Sequence, residues 1–516
     1  MTDRKAKATD RKAKAPPPPE ASISTQTASG VLWMTVQKWA IRISGLVTIA
    51  ILTRFLRPED FGTVAAASTV LPFFYLLSDI GFAAYIVQAD RIDRRMLSTS
   101  FWFSSLAGLL LAAGLVGAAP LFGLIFRSDE FVPVLQVLSL TVVFTSMSSV
   151  PMALLRRAMR FRALAVQGTA AAFIAQAVAV TMTLTGFGIW ALVGQALASQ
   201  VVMTGLAWYS ARWLPAFMFS RREFSVMARF GSKVLGVEFV AMCRAWGEAA
   251  IISATLGMAA LGYLNIAQRL VQIIQDLTGA ALVPVSTVAF AKIRGSTERL
   301  RNAYVRALRM TYAAMSPPLV LLAIAAPLII PVVFGDGWSQ SAHVAQILAL
   351  AGIMVVGATL DLGLFYGVGQ PGRWFVYGVV VDTCTIAVTA ITARWGLEAV
   401  AYGFLAVAAF ATAIRWFLAA KLLHTPPRAL VGPFGFLIVT VLAGGGAGLV
   451  VLAVSTDLPL IARIALTGLA VLLAYLVVVR LLARQVIDEF VRFLPRSRRR
   501  LDPEPHRSPS KPKERS

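Results

Sequence analysis

Six polar side chains lie within one short stretch of a very apolar sequence. The stretch reads LGYLNIAQRLVQIIQD, residues 261–276, in a chain that is 58% hydrophobic. On a helix with about 100° per residue, the six fall within an arc of roughly 120°. They are Asn265, Gln268, Arg269, Gln272, Gln275 and Asp276. This pattern predicts a helix that presents one polar face to a water-filled space and apolar faces elsewhere.

Charged residues also interrupt other apolar segments. Lys38 and Arg42 lie in the first, and Asp361 and Asp382 lie in two later ones. If the segments cross a membrane, each such group costs roughly 2.5–3.5 kcal/mol on insertion scales and therefore faces a cavity or a partner. One segment, 226–252, carries Arg229 and Lys233 near its cytoplasmic end and Glu238, Arg244 and Glu248 further along. Arg244 and Glu248 are spaced i,i+4, so simple neutralisation on one helix is the alternative to a functional role.

The composition identifies the elements that carry these residues. The chain has 516 residues, of which only 14% are charged, and its mean hydropathy is +0.73. Ordinary soluble domains have about 25% charged residues. Apolar runs of about 20 residues recur along the chain, each long enough to cross roughly 30 Å of hydrocarbon. The sequence predicts an all-α polytopic membrane protein, because a β-barrel would show short alternating segments instead.

We predict fourteen transmembrane helices between residues 30 and 482, with both termini in the cytoplasm. The positive-inside rule supports this topology, since few of the 48 lysines and arginines fall in the predicted outer connections. The outer ones are Arg54, Arg57, Arg127, Arg394 and Arg463.

Both ends of the chain are basic and rich in proline. Residues 1–28 and 485–516 are predicted to be disordered cytoplasmic tails that are attracted to anionic membrane lipids. The net charge of +23 is therefore not taken as a sign of nucleic-acid binding. Cys243 and Cys384 show no metal-ligand spacing, and the three histidines are scattered, so we expect no metal site and no cofactor.

The sequence repeats itself weakly. LTRFLRPEDFG (52–62) aligns with SATLGMAALG (253–262) at an offset of 200 residues, which matches Leu56 with Leu256 and Gly62 with Gly262. We predict two pseudo-symmetric six-helix bundles, 29–222 and 223–425, followed by two extra helices in 426–484. Parallel repeats of this kind place a substrate site at the interface between the halves, as in transporters.

Several blocks resemble one known family. They are LTRFLRPEDFG (52–62), SDIGFAAYIVQ (78–88), VPMALLRRAMRFRALA (150–165), LGYLNIAQRL (261–270) and FGDGWSQSAHVAQIL (334–348). In these blocks the chain resembles the bacterial polysaccharide transporters, the Wzx-type oligosaccharide flippases. The resemblance implies the fold of the multidrug-and-toxin-extrusion (MATE) transporters. It also implies transport of an undecaprenyl-diphosphate-linked glycan across the bacterial inner membrane, for cell-surface polysaccharide biosynthesis.

The implied cargo assigns roles to the polar residues. A diphosphate is anionic and arginine holds phosphate oxygens with paired hydrogen bonds, whereas amides donate to and accept from sugar hydroxyls. The candidate substrate-binding residues are Lys38, Arg42, Arg244, Arg269, Asn265, Gln268, Gln272 and Gln275. The candidate residues for coupling to a proton or sodium gradient are Glu238, Glu248, Asp276, Asp361 and Asp382.

The expected activity is transport by alternating access, without catalysis. The expected partners are the lipid-linked glycan, membrane lipids, and a polysaccharide polymerase with other assembly proteins. Three alternatives stay open: a cation-coupled multidrug exporter of the same fold, a lipid II flippase, and a membrane polysaccharide polymerase. The polymerase is disfavoured because such enzymes need a sizeable extramembrane loop, and the longest predicted outer connection has only about ten residues.

Overall fold

The computed structural model describes residues 37–279, 282–426 and 428–482, without the side chains of 232–241 and of some residues near the other gaps. The regular structure within these ranges is helical throughout. The predicted tails, 1–28 and 485–516, lie outside the described residues. Fourteen transmembrane helices and the division into two bundles stay predictions, while the all-helical fold is confirmed.

Eight helices make up the N-terminal half of the described chain. They begin with α1, which covers 37–52. The others are α2 Pro58–Asp79, α3 Phe82–Gln88, α4 Arg94–Phe126, α5 Phe131–Leu138, α6 Leu140–Arg157, α7 Phe161–Leu184 and α8 Trp190–Ala211.

The C-terminal half and the two final helices follow. They are α9 Arg221–Leu256, α10 Met258–Gly279, α11 Leu282–Ile293, α12 Thr297–Phe334, α13 Ser339–Val355, α14 Ala358–Val368, α15 Pro371–Thr392, α16 Leu397–Leu422, α17 Arg428–Val454 and α18 Leu460–Leu482. Short 3-10 turns occur at Asp336–Trp338 and Ala393–Trp395.

Eleven helical segments of the described chain are long and apolar enough to cross a membrane. The protein is therefore a multi-pass membrane protein. Three further predicted spans correspond to α1, α9 and α10, which are not among these eleven segments over the described residues. These helices carry Arg42, Arg244 and Arg269. Three arginines of the candidate site thus lie on helices outside that set of eleven.

Helix α2 has clear signals at both ends. Pro58 occupies its first turn, where a missing N–H costs nothing, and the Asp60 carboxylate accepts the backbone N–H of Arg57 at 2.9 Å. At the other end, Ile80 and Gly81 adopt positive φ angles of 46° and 72°, which stop the helix. The Asp79 carboxylate accepts the N–H of Ala83 at 3.0 Å, so it caps the next helix, α3.

The two glycines matched by the sequence repeat pack against each other's helix. A Cβ at Gly62 would overlap the carbonyl oxygen of Met258, and a Cβ at Gly262 would overlap the carbonyl oxygen of Pro58. Adding 200 to Gly62 and subtracting 200 from Met258 gives the second contact, Gly262 with Pro58, as expected for surfaces related by a two-fold axis. Helices α2 and α10 therefore cross in backbone contact at their first turns, and we call this end of the molecule the Gly62 end.

Two arginines also join the halves at the Gly62 end. Arg54, after α1, donates to the carbonyl oxygen of Val332 at 2.5 Å. Arg127, after α4, donates to the carbonyl oxygen of Ala254 at 3.0 Å. Each arginine therefore bonds a carbonyl in the last turn of a helix from the other half, which otherwise has no intrahelical partner. The halves are held together at this end by backbone contact, by these two charge-assisted bonds, and by the Trp338 indole N–H, which donates to the carbonyl oxygen of Thr53 at 3.0 Å.

Removing both arginine bonds should open the Gly62 end. We expect the double substitution Arg54→Gln and Arg127→Gln to cost about 1–3 kcal/mol in total, after allowance for solvent exposure. That shifts the ratio of closed to open molecules by roughly 5- to 150-fold. Double electron–electron resonance between spin labels at Glu130→Cys and Gln340→Cys, on exposed positions of opposite halves, should show a new population at longer distance.

Arg394 supplies the matched control, because it lies in a connection at the same end and is exposed. Arg394→Gln should leave the distance distribution unchanged. An identical distribution in the Arg54/Arg127 double variant and the wild type would show that these bonds do not hold the halves together.

Candidate functional site: two cavities between the halves

The larger of the two cavities at the site lies next to the Gly62/Gly262 contact, where α2 and α10 continue from their crossing. It has a volume of about 610 Å³ and is lined by α2, α9, α10, α13, α15 and α16, and we call it the C-terminal cavity. Seven of the sequence-predicted residues line it: Arg244, Glu248, Asn265, Gln268, Gln272, Gln275 and Asp382. The polar stripe of residues 261–276 thus faces a cavity over most of its length.

Arg244 lies between two carboxylates in this cavity. Its guanidinium bonds Glu248 on the same helix at 2.7 Å and Asp382 on α15 at 3.0 Å. The Arg244 side chain is 36% exposed, whereas Glu248 and Asp382 are 11% and 23% exposed. With all three groups ionised the net charge of this triad is −1. In this arrangement Arg244 is neutralised by carboxylates, and the triad as a whole favours a cation.

A second cavity lies on the other side of α10. It has a volume of about 520 Å³ and is lined by α2, α7, α8 and α10, and we call it the N-terminal cavity. Ala65, Thr69 and Asn265 line both cavities, so the two adjoin along α2 and α10. Arg269 lines the N-terminal cavity together with six uncharged polar residues, which are the shared Thr69 and Asn265 and, in this cavity alone, Ser68, Gln176, Gln195 and Ser199.

Arg269 is the cation of the site that has no carboxylate partner among the described residues. Arg42 on α1 lies close enough to repel it electrostatically. Arg42 itself forms an ion pair with Asp276 on α10, which is a further link between the two halves. The local balance is therefore +1, so the N-terminal cavity attracts an anion.

The other two charged candidates near this region lie away from the cavities or outside the described side chains. Lys38 is exposed, one turn before Arg42 on α1. Glu238 falls within 232–241, whose side chains are not described. The structure thus adds nothing to the two assignments, which stay predictions.

Asp361 is enclosed in the C-terminal half rather than in a cavity. It accepts bonds from Arg415 at 2.6 Å and from the Tyr304 hydroxyl, and Arg415 also donates to the carbonyl of Met354 at 2.9 Å. Asp361 and Arg415 are 1% and 2% exposed. The pair connects α12, α14 and α16, which is the geometry of a packing interaction.

The sequence analysis did not single out several residues that the structure brings to the site. Arg415 is one, although an arginine inside an apolar segment was a visible signal. Tyr377 and Thr69 line the C-terminal cavity, and Gln176 and Gln195 line the N-terminal cavity. The two glutamines lie among alanines in α7 and α8, so their polarity within an apolar helix is the only signal of them in the sequence. Within the described residues no group of His, Cys, Asp and Glu is suited to hold a metal ion.

Comparison with known proteins identifies the family. The model of a family described as "Polysaccharide biosynthesis protein" matches residues 51–343, more than half of the chain. The chain belongs to this family. The match includes α2 and α10 in full and therefore covers the Gly62/Gly262 contact and the polar stripe.

Two proteins that are similar to this chain are named for transport or biosynthesis of polysaccharides. The succinoglycan biosynthesis transport protein ExoT of Rhizobium meliloti (strain 1021) is 27% identical over 373 residues, covering 72% of this chain and 75% of its own. The lipopolysaccharide biosynthesis protein WzxC of Escherichia coli (strain K12) is 24% identical over 339 residues, covering 64% and 68%.

Solved structures confirm the predicted fold. The lipid II flippase MurJ in an inward closed conformation superposes with a TM-score of 0.74 at 14% identity, over 88% of this chain and 100% of that one. An inward-facing MATE-family multidrug transporter has a TM-score of 0.59 at 16% identity, over 76% and 98%. The chain has the fold shared by these transporters.

Breaking the buried Asp361–Arg415 pair should destabilise the protein strongly. We expect Asp361→Asn or Arg415→Met alone to lower the free energy of unfolding by about 3–5 kcal/mol, because each leaves a buried charge unpaired. The double substitution Asp361→Leu with Arg415→Met should recover most of the loss. Thermal unfolding in detergent micelles measures these differences.

The exposed pair His343–Glu398 is the control, and Glu398→Gln should cost less than about 1 kcal/mol. Single variants at Asp361 that unfold like the wild type, yet no longer respond to an ion gradient, would support the coupling role instead.

Proposed function

We propose that this protein flips a polyprenyl-diphosphate-linked oligosaccharide from the inner to the outer leaflet of the bacterial inner membrane, for cell-surface polysaccharide biosynthesis. The observation that carries the proposal is Arg269, an arginine without a carboxylate partner in the described chain, at a cavity between two halves of a transporter fold. A diphosphate head group supplies the missing anion, and guanidinium binds phosphate oxygens in paired hydrogen bonds. The substrate crosses without a change in its covalent bonds.

Arg42 connects substrate entry to this site. It pairs with Asp276 across α1 and α10, and both side chains are partly exposed, at 45% and 30%. A diphosphate that approaches between α1 and α10 carries more charge than one carboxylate and competes with Asp276 for Arg42. Binding at Arg269 and Arg42 then separates the two helices, while the polyprenyl chain stays in the lipid.

The triad in the C-terminal cavity suits energetic coupling. Glu248 and Asp382 share one guanidinium, and uptake of one proton or one sodium ion brings the net charge of the triad to zero. Neutralisation weakens the hold of the carboxylates on Arg244, which lies on α9 and faces α15. The cation thereby changes the packing of α9 against α15, and the Gly62 end opens outward by separation of the Arg54 and Arg127 bonds.

Deleting the gene should trap one lipid-linked glycan on the inner leaflet. We expect mass spectrometry of lipid-linked glycans, combined with leaflet-specific labelling, to show its accumulation on the cytoplasmic side. The wild-type gene should restore the profile, and Arg269→Gln should restore it at least tenfold less well, because the loss of one charge-assisted bond to phosphate costs about 1.5–3 kcal/mol.

Arg229→Gln, near one end of α9, is the matched control and should complement normally. An unchanged glycan profile in the deletion strain, with new sensitivity to cationic drugs, would identify a multidrug exporter of the same fold instead.

Neutralising both carboxylates of the triad should uncouple transport. In spheroplasts, the outward appearance of the glycan should slow in the wild type when either the proton gradient or the sodium gradient is removed. The double variant Glu248→Gln and Asp382→Asn should transport slowly and lose that sensitivity, because its triad no longer takes up a cation. The exposed Glu398→Gln variant should keep it. A double variant as sensitive as the wild type would exclude these carboxylates from coupling.

A further inference from the structure

The glutamines of the N-terminal cavity differ in their hydrogen bonding from three glutamines that lie between packed helices. Gln37, Gln167 and Gln346 donate to backbone carbonyls of neighbouring helices at 2.7, 3.1 and 2.9 Å. Gln176 and Gln195 are partly buried, yet neither bonds another of the described residues. An amide that faces a cavity can both donate a hydrogen bond to a molecule inside it and accept one from it. The two side chains are therefore available to a molecule that occupies the cavity.

Their neighbours make room for such a molecule. On α7, Ala172 and Ala175 line the cavity beside Gln176, and on α8, Ala196 and Ser199 line it beside Gln195. These positions recur at helical spacing, so α7 presents a face of small residues with one amide, and α8 presents a similar face that also includes Leu192. The volume of about 520 Å³ is within the range of ligand pockets, roughly 300–1,000 Å³.

The charge of the cavity defines the class of ligand. Arg269 is the only ionisable group among the described residues that line it, and the remaining polar groups are amides and hydroxyls. Amides both donate and accept hydrogen bonds, so they complement hydroxyl groups, and they offer no charge to an acidic sugar or to an amine. The ligand therefore carries its anion at Arg269 and uncharged hydroxyls beside Gln176 and Gln195.

We propose that the N-terminal cavity is a binding subsite for the uncharged sugar attached directly to the diphosphate, and that Gln176 and Gln195 select it through its hydroxyls. This inference rests on the proposed function, which supplies the diphosphate at Arg269. Selectivity follows because a sugar with a misplaced hydroxyl leaves a buried amide unpaired. The C-terminal cavity, with its carboxylates, then holds the coupling cation and the sugars that lie further from the diphosphate.

Binding of synthetic lipids to the full-length protein in nanodiscs tests the subsite. The probes are a short-chain polyprenyl diphosphate without sugar and the same lipid carrying one glucose, galactose or N-acetylglucosamine. The wild type should bind at least one glycosylated probe more tightly than the bare diphosphate. In the double variant Gln176→Leu and Gln195→Leu this preference should fall by roughly 5- to 100-fold, while affinity for the bare diphosphate stays within about twofold.

Gln200→Leu is the matched control, because Gln200 lies on α8 but lines neither cavity, and it should keep the preference. Retained affinity for the bare diphosphate shows that the double variant is folded, and Ser199→Ala supplies a milder second variant. A wild type that binds all probes equally, or a preference that survives in the double variant, overturns the subsite and leaves the proposed function standing. A wild type that binds no polyprenyl diphosphate overturns the proposed function itself.

Discussion

The crossing of α2 and α10 sets the geometry of everything around it. At Gly62 and Gly262 the two helices touch through their backbones, and a Cβ on either residue would overlap a carbonyl oxygen of the other helix. Along α2 the C-terminal cavity begins one turn further on, at Ala65, and the N-terminal cavity begins at Phe61, beside the crossing; α10 divides the two cavities. The closeness of this crossing therefore fixes the width of both cavities, because the same two helices diverge from it to form their common wall.

Charge is distributed unequally on the two sides of α10. The C-terminal cavity holds Arg244 with Glu248 and Asp382, whereas the N-terminal cavity holds Arg269 with uncharged amides and hydroxyls. A single helix thus separates a cation-favouring space from an anion-favouring one, and both meet at Asn265. A cation and an anion bound on opposite sides of α10 do not compete directly. The cation acts on the contacts of Arg244, and the anion acts on those of Arg269 and Arg42.

The sequence was sufficient for the fold and for the types of residue at the site, and insufficient for their partners. Apolar runs, the weak repeat and the family blocks predicted a helical transporter fold, and i,i+4 spacing predicted the Arg244–Glu248 pair. The bonds of Arg244 to Asp382 and of Arg415 to Asp361 join different helices, so they depend on helix rotation and crossing angle, which composition does not encode. The sequence does not single out Gln176 and Gln195, because each is one uncharged residue among alanines and other apolar residues. Their significance appears only when α7 and α8 are placed side by side.

The two arginine bonds that join the halves at the Gly62 end do not depend on the side chains of the residues that accept them. Arg54 and Arg127 both donate to main-chain carbonyls, at Val332 and Ala254, rather than to carboxylates. Each bond therefore depends on one arginine side chain and on a main-chain oxygen that every residue carries. Residues 254 and 332 also remain free to vary in evolution, since every amino acid offers the same carbonyl.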